Sequence, residues 1–226
     1  IPRVRFVTSH PWDLTDRLIE AMAECESVCE HLHLPVQSGD DEVLRRMGRQ
    51  YTVEAYLELI KRLRAAIPGI ALTTDVITGF CGETEAQFES TLRLLRSVRF
   101  EQVFAAAYSE RPGTPATKLP DDVPTDEKKR RLNELLRLQE DIGRERNEAW
   151  VGRRTEVLVD EARQPRAHDH EGPAAHGPRL VGRNREHKLV HFDGPEALVG
   201  TLVAVEVDRA GAYALSGHRL EGADHA

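Results

Sequence analysis

Between residues 109 and 124 the string SERPGTPATKLPDDVP holds four prolines in sixteen positions. Proline lacks a backbone N–H and fixes φ, so this stretch can be neither helix interior nor central strand. The segments on its two sides must build separate sets of elements. Before it, strand-like and helix-like segments alternate. Arg3 to Val7 is β-rich, and Asp13 to Glu24 carries Leu14, Leu18, Ile19 and Met22 at helical spacing. His31 to Val36 reads as a second strand, closed by the turn residues SGDD. Asp40 or Asp41 caps a short helix with Val43, Leu44 and Met47, and Thr52 caps another through Leu63. Ile70 to Ile77 is the third strand, Gly79 to Gly82 a turn, Thr84 to about Ser97 a helix, and Phe100 to Tyr108 the fourth strand. Strands separated by helices predict parallel βα units with right-handed crossovers.

A closed βα barrel takes about 200–250 residues, and these units occupy just over half of that. The sheet is therefore either open or short of units on its N-terminal side. The chain begins at Ile1, without Met, with a strand already under way. We therefore expect the missing units to belong before it. After the prolines, Thr125 opens a long helix striped with Leu132, Leu135, Leu136, Leu138 and Ile142, whose balanced charges predict a solvated outer face. From Gly152 the pattern changes to short strands: Arg154 to Asp160, Arg179 to Gly182, Lys188 to Phe192, Leu198 to Asp208 and Tyr213 to Leu215. Separated by glycine and proline turns, these predict a small all-β, OB-like barrel. Residues 162–178 read as a long loop between its first two strands. The predicted fold class is α/β plus all-β. Residues 1–124 form the last four units of a (βα) barrel, 125–150 a linking helix, 151–220 the small barrel and 221–226 a tail.

Composition narrows the function classes. With 31 basic against 38 acidic residues, a net charge of −7 argues against coating nucleic acid by charge alone. No apolar run approaches the roughly 20 residues of a membrane helix. Three cysteines are too few for a disulfide framework and fit a reducing, cytoplasmic setting.

In βα folds the carboxyl ends of the strands carry the chemistry. Ser9 and His10 follow the first strand, Gln37 and Ser38 the second, Asp75 lies on the third, and Ser109 with Arg111 follows the fourth. Arg49, after the short helix, is placed to return to the same rim. A Gln, an Arg and an Asp around one opening suit a cofactor that bears an amino acid. Arg grips its carboxylate, Asp accepts from its ammonium or from a ribose hydroxyl, and Gln does either. Helix capping accounts for such residues equally well. Gly79 and Gly82 allow close backbone approach by a flat or anionic ligand, or form an ordinary turn. Cys25 and Cys29 have the first spacing of a CxxxCxxC loop, but Leu32 stands where the third thiolate belongs, so they read as structural. His168, Asp169, His170 and His176 lie in a Gly/Pro/Ala loop and read as solvated rather than as a metal site. The run RLVGRNREHK, with Arg179, Arg183, Arg185 and Lys188, is the densest basic patch of the C-terminal part, on a predicted hairpin suited to a nucleic-acid backbone.

Several strings then point to a family. RVRFVTSHP, HLHLPVQSGDDEVLRRMGRQYT, TTDVITGFCGETEAQF and YSERPGTPA resemble consecutive segments of the radical S-adenosylmethionine methylthiotransferases, and SHP resembles the branch that acts on tRNA. VLVDE, LVGRNREHKLVHF and LVGTLVAVEV resemble the TRAM domain with which these enzymes hold substrate. The resemblance implies a radical S-adenosylmethionine barrel in which a [4Fe–4S] cluster reduces S-adenosylmethionine to a deoxyadenosyl radical. That radical abstracts hydrogen from an adenine ring, and a methylated sulfur donor supplies the methylthio group. The implied substrate is N6-isopentenyladenosine beside the anticodon, and the implied partner is the anticodon stem-loop of tRNA, met by a monomer in the cytoplasm. The resemblance gives Ser9, Gln37, Arg49, Asp75 and Gly79 to the cofactor, and Arg179, Arg183, Arg185 and Lys188 to RNA.

The departures are equally specific. The CxxxCxxC loop and the strands around it have no counterpart in these residues, Cys29 falls outside the cluster positions, and Cys81 replaces a proline. The chain as it stands is therefore expected not to start the radical reaction. Two alternatives remain open: the sister reaction on threonylcarbamoyladenosine, and a cluster-free RNA-binding module that keeps the barrel as scaffold.

Overall fold

The computed structural model describes residues 1–5, 10–163 and 178–220. The chain divides into two compact units, 1–142 and 143–226. In the first, α1 (Asp16–Glu24), β1 (His31–His33), α2 (Asp41–Arg46), α3 (Val53–Ala66), β2 (Ala71–Thr78), α4 (Glu85–Val98) and β3 (Gln102–Ala107) come in that order. The three strands form a parallel sheet in chain order, β1-β2-β3. The predicted caps are in place: Asp40 accepts from the N–H groups of Glu42 and Val43, Thr52 from Ala55, and Thr84 forms a capping box with Gln87.

The register sorts the strand residues. Leu32 pairs with Leu72, Thr74 with Val103 and Val76 with Ala105, on the face that packs with Ile19, Met22, Tyr56, Leu63, Phe88, Leu92 and Leu95 of the helices. His31, His33, Thr73, Asp75 and Phe104 alternate onto the opposite face. On that face His31 and Thr73 are buried, while Phe104 is 51% exposed.

Two predicted strands are corrected. The one from Arg3 to Val7 is, where described, a single bridge of Val4 to Val28, held by Val4 N–H to Ser27 O and Cys29 N–H to Val4 O. Val4 stays 38% exposed, so the alternation there has no buried face to lock a longer ladder. The one from His31 to Val36 stops at His33. Beyond it, the Tyr56 hydroxyl and the Thr74 hydroxyl both donate to Leu34 O, the Val36 N–H donates to Thr74 Oγ1, and Pro35 has no donor. Side chains take over where the ladder ends.

Helix α5 (Thr125–Glu148) carries residues of both units. The expectation of a merely solvated outer face fails at two of its cations. Lys128 and Arg131 are buried within the first unit, Arg131 against the nearly inaccessible Glu83 at 3.0 Å. Among the described residues no helix is long and apolar enough to cross a membrane.

The second unit is a closed five-stranded barrel of β4 (Arg154–Arg163), β5 (Arg179–Arg183), β6 (Leu189–Asp193), β7 (Leu202–Ala210) and β8 (Ala214–Arg219), ordered β4-β5-β6-β8-β7. Val157, Leu180, Val190, Phe192, Val203, Val205 and Leu215 fill it. The predicted strand from Leu198 splits, because a short 3-10 turn (Glu196–Leu198) and Gly200, at φ 85°, intervene before β7. The predicted strand from Tyr213 instead starts at Ala214 and extends through polar Arg219, because pairing with β7 sustains it. The histidine group at 168–176 and the tail fall outside the described residues, as does Ser9.

Candidate functional site

The carboxyl ends of β2 and β3, with the segment after β1, open into a cleft of about 670 Å³. That is within the usual range of small-molecule sites, roughly 300–1,000 Å³. Gln37, Arg49 and Asp75 all line it, together with Phe80, Phe104, Tyr108, Ser109 and Arg111. Three side chains expected at one rim from separate segments thus meet there.

Each is placed by a local device. Gln37 holds φ at 71°, a conformation non-glycine residues rarely adopt. Two backbone bonds to β2 keep it there: its N–H donates to Asp75 O at 2.8 Å, and its carbonyl accepts from Ile77 N–H at 3.0 Å. Strain of this kind persists where surroundings over-determine it, and clusters at ligand sites. Arg49 returns to the rim because Gly48, at φ 75°, ends α2, and the Arg49 N–H then closes onto Leu44 O at 2.9 Å. Asp75 stands on the face opposite the core with its side chain 39% exposed, beside the imidazole of His33 at 3.4 Å.

The cleft's wall is stiff. The Arg46 guanidinium donates to the Cys81 carbonyl and, at 3.0 Å, to Gln87 Oε1, while Gln87 Nε2 donates to Asp40 Oδ1 at 3.0 Å. Phe80 meets Tyr108 edge-on at 4.9 Å. Desolvation first, then the neighbouring Cys81, pushes the Tyr108 phenol up to about 12, so it lines the cleft as a neutral hydroxyl at ordinary pH. Glu83 is raised above the usual carboxylate value by burial, against the pull of the Gly79 N–H and Arg131.

The other expected cofactor residues fare differently. Gly79 does not line the cleft. At φ 67° its N–H donates to Glu83 Oε2 at 2.7 Å, and a Cβ there would collide with the Lys128 side chain. The close approach that this glycine permits is by helix α5. His10 caps the turn at Trp12 and packs edge-on against Tyr51 at 5.3 Å. A larger groove of about 780 Å³ shares Arg49, but its other cations are engaged, Arg45 with Glu42 and Arg62 with Asp16. Sequence reasoning missed Phe104 and His33. Their signal was strand alternation, which puts both on the face that carries Asp75.

The basic run of the barrel is dispersed. Arg179 donates to Ser216 Oγ at 3.3 Å, and Arg183 pairs with Asp160 at 2.6 Å. Arg185 lies half-buried in the turn between β5 and β6. Lys188 departs from expectation: it is buried, its ammonium donating to Asn147 Oδ1 at 2.7 Å and lying 5.8 Å from the Trp150 ring centroid. Its charge is held inside the second unit, so we leave it out of any RNA-facing surface.

Comparison with known proteins now carries weight. Residues 1–95 match the model of the Radical SAM superfamily. Over 222 residues the chain is 47% identical to the tRNA-2-methylthio-N(6)-dimethylallyladenosine synthase of Anoxybacillus flavithermus, covering 98% of this chain and 40% of that protein. The enzyme of the same name from Geobacillus thermodenitrificans is 47% identical over 218 residues, 96% of this chain and 40% of its own length. The one from Moorella thermoacetica is 47% identical over 223 residues, 98% of this chain and 48% of its own. The chain is similar to these synthases over nearly all of its own length, and its first 95 residues carry the Radical SAM match. It spans less than half the length of these relatives. Among solved structures, the radical SAM coproporphyrinogen III oxidase HemN of Escherichia coli superposes with a TM-score of 0.49 at 21% identity, over 59% of this chain and 31% of that one. That likeness is too slight to bear on this chain's chemistry.

The Radical SAM match implies S-adenosylmethionine and an iron–sulfur cluster, and the residues present fit the two differently. The cleft offers a guanidinium, a carboxylate, a carboxamide and aromatic rings, which match the amino-acid, ribose and base portions of S-adenosylmethionine. The cysteines do not match a cluster: Cys25 is exposed at the end of α1, Cys29 is buried beside the Val4 bridge, and Cys81 packs with Val43 and Phe80. Among the described residues no three His, Cys, Asp or Glu side chains are grouped as a metal site.

Proposed function

We propose that this chain serves the 2-methylthiolation of N6-dimethylallyladenosine in tRNA, the product in the names of its relatives. The observation that carries the reading is the convergence of Gln37, Arg49 and Asp75 on one cleft, in a chain 47% identical to those relatives over nearly all its length. In this reading residues 1–124 are βα units of a radical S-adenosylmethionine barrel, 125–150 the linking helix and 151–220 a TRAM domain. The sequential order of the parallel strands suits a barrel, which adds units in chain order, better than a doubly wound sheet, whose order reverses. When bound, S-adenosylmethionine supplies the deoxyadenosyl radical and the methyl group. The chain's own residues hold it: Arg49 pairs with its carboxylate, Asp75 accepts from its ammonium or ribose hydroxyls, Gln37 bonds its polar edge, and Phe104 covers an apolar flank. The hairpin carrying Arg179, Arg183 and Arg185 meets the phosphates of the anticodon stem-loop.

The test is nucleoside mass spectrometry of tRNA from cells in which the gene for this chain is disrupted. The 2-methylthio derivative of N6-dimethylallyladenosine is expected to vanish and the unthiolated nucleoside to accumulate. Loss of the methylthio group from threonylcarbamoyladenosine instead assigns the chain to the sister reaction. Unchanged modification at both nucleosides overturns the proposal.

A further inference from the structure

On the face of the first sheet that carries Asp75, one imidazole has a polar neighbour at each of its nitrogens. His33 Nδ1 lies 2.9 Å from Thr73 Oγ1, and His33 Nε2 lies 3.4 Å from Asp75 Oδ1. The same Thr73 hydroxyl lies 3.4 Å from His31 Nε2. Phe104 meets the His33 ring edge-on at 5.6 Å, and the His33 side chain is only 15% exposed. These groups come from all three strands, and the register brings them together: His33 pairs with Thr73 across β1-β2, and Asp75 with Phe104 across β2-β3.

One assignment of protons accounts for the contacts of Thr73 with both imidazoles. A carboxylate can only accept, so a proton on Nε2 of His33 is the one that suits the 3.4 Å ion-pair contact with Asp75. Nδ1 of His33 is then a bare acceptor, which obliges the Thr73 hydroxyl to donate to it. The hydroxyl's lone pair in turn accepts from Nε2–H of His31. Hydrogen bonds then run His31 to Thr73 to His33, and the His33 ring ends on the ion-pair contact with Asp75. The Asp75 backbone is held as well, since its carbonyl accepts from Gln37 N–H.

We propose that His33 is a positioning residue for the cleft: through Nε2–H it fixes the Asp75 carboxylate so that the remaining oxygen faces S-adenosylmethionine, with Thr73 and His31 setting its tautomer. The inference rests on the reading of the cleft as the S-adenosylmethionine site, and the experiment separates the two. Binding of S-adenosylmethionine to the purified chain is measured by calorimetry for the parent, Asp75→Asn, His33→Leu, His33→Gln and Thr73→Val.

His33→Leu is expected to weaken binding about tenfold, the scale of a hydrogen bond to a charged group. His33→Gln, whose Nε2–H reaches in the same direction, is expected to recover most of that loss. Thr73→Val, which frees the tautomer but keeps the shape, falls between them. A merely structural role for His33 predicts that Leu and Gln behave alike, because both depart equally from the ring. Independently of any ligand, long-range ¹H–¹⁵N spectra are expected to show His33 as the Nε2–H tautomer, and to show that population falling in Thr73→Val. Absence of binding by the parent, or full binding by Asp75→Asn, sinks the reading of the cleft. Weakened binding in Asp75→Asn with His33→Leu unaffected, or an Nδ1–H tautomer in the parent, overturns the role of His33 alone.

Discussion

Gln37, Arg49 and Asp75 are separated by helices in sequence and line one cleft, whereas Arg179, Arg183, Arg185 and Lys188 are near neighbours and part company. The difference comes from topology. Parallel βα units bring every strand to the same end of the sheet, so residues after successive strands gather whatever their distance along the chain. In the hairpin Arg179 and Arg183 share a face of β5, but each is engaged by a different neighbour, and the turn beyond them carries Lys188 inward. The two units also hold their buried cations differently. Arg131 of the first faces a buried carboxylate, while Lys188 of the second faces an amide oxygen and an indole ring.

The largest effect expected from this contrast is on stability. Arg131→Leu leaves Glu83 buried without its counter-charge, and removing one partner of such a pair costs about 3–5 kcal/mol. Denaturant unfolding followed by a probe in the first unit checks it, and a loss under 1 kcal/mol, far below that range, breaks the claim that the pair anchors α5 to the turn after β2. The same variant should lean more heavily on acid. Glu83 is already raised by burial, so its contribution is fullest below the unfolded carboxylate range and is lost as pH rises through its higher folded value.

Lys188→Met should cost less, about 1–3 kcal/mol, because it strands a neutral amide oxygen, that of Asn147, rather than a buried charge. Unfolding of the second unit reads it. The comparison sharpens if the same variant leaves the salt dependence of tRNA binding unchanged. A flatter slope places Lys188 at a phosphate and contradicts its burial.

For the dispersed arginines the readout is salt. Replacing Arg183 and Arg185 with Ala should flatten the slope of log affinity against log salt by about 1–2, one phosphate contact each. Since Asp160 offsets Arg183 at 2.6 Å, Asp160→Asn is expected to tighten tRNA binding modestly. Equal binding by all three forms across several salt concentrations removes the hairpin from the interface.

The smallest effect belongs to the exposed pair of His218 and Asp208 on β8 and β7. The carboxylate hydrogen bond raises the His218 pKa above its ordinary value. The pair's contribution is therefore fully present below pH 6.5 and is lost as pH climbs through the raised value. A slight fall of the second unit's urea midpoint over that window is expected, and Asp208→Asn should abolish it.

Much of this molecule was legible in advance. The caps at Asp40, Thr52 and Thr84, the helices they open and the change to short strands after residue 150 all follow from local chemistry. The cleft trio was readable because the ends of parallel strands are where side chains converge. Gly79 and Lys188 were misplaced for one reason: each reads as solvent- or ligand-facing until another element covers it, α5 over the glycine, and Asn147 with Trp150 around the ammonium.

The sequence alone determined the main helices with their caps, where the texture breaks, and the family it resembles, because these depend on residues close together along the chain. Only the tertiary structure decided which polar groups face one another. It turned Gln37 through a left-handed φ, closed β4 onto β7, and set His33 between Thr73 and Asp75. Those outcomes depend on register and burial between distant segments, and a hydrogen bond of 2.9 Å exists only once the strands that carry its two ends have paired.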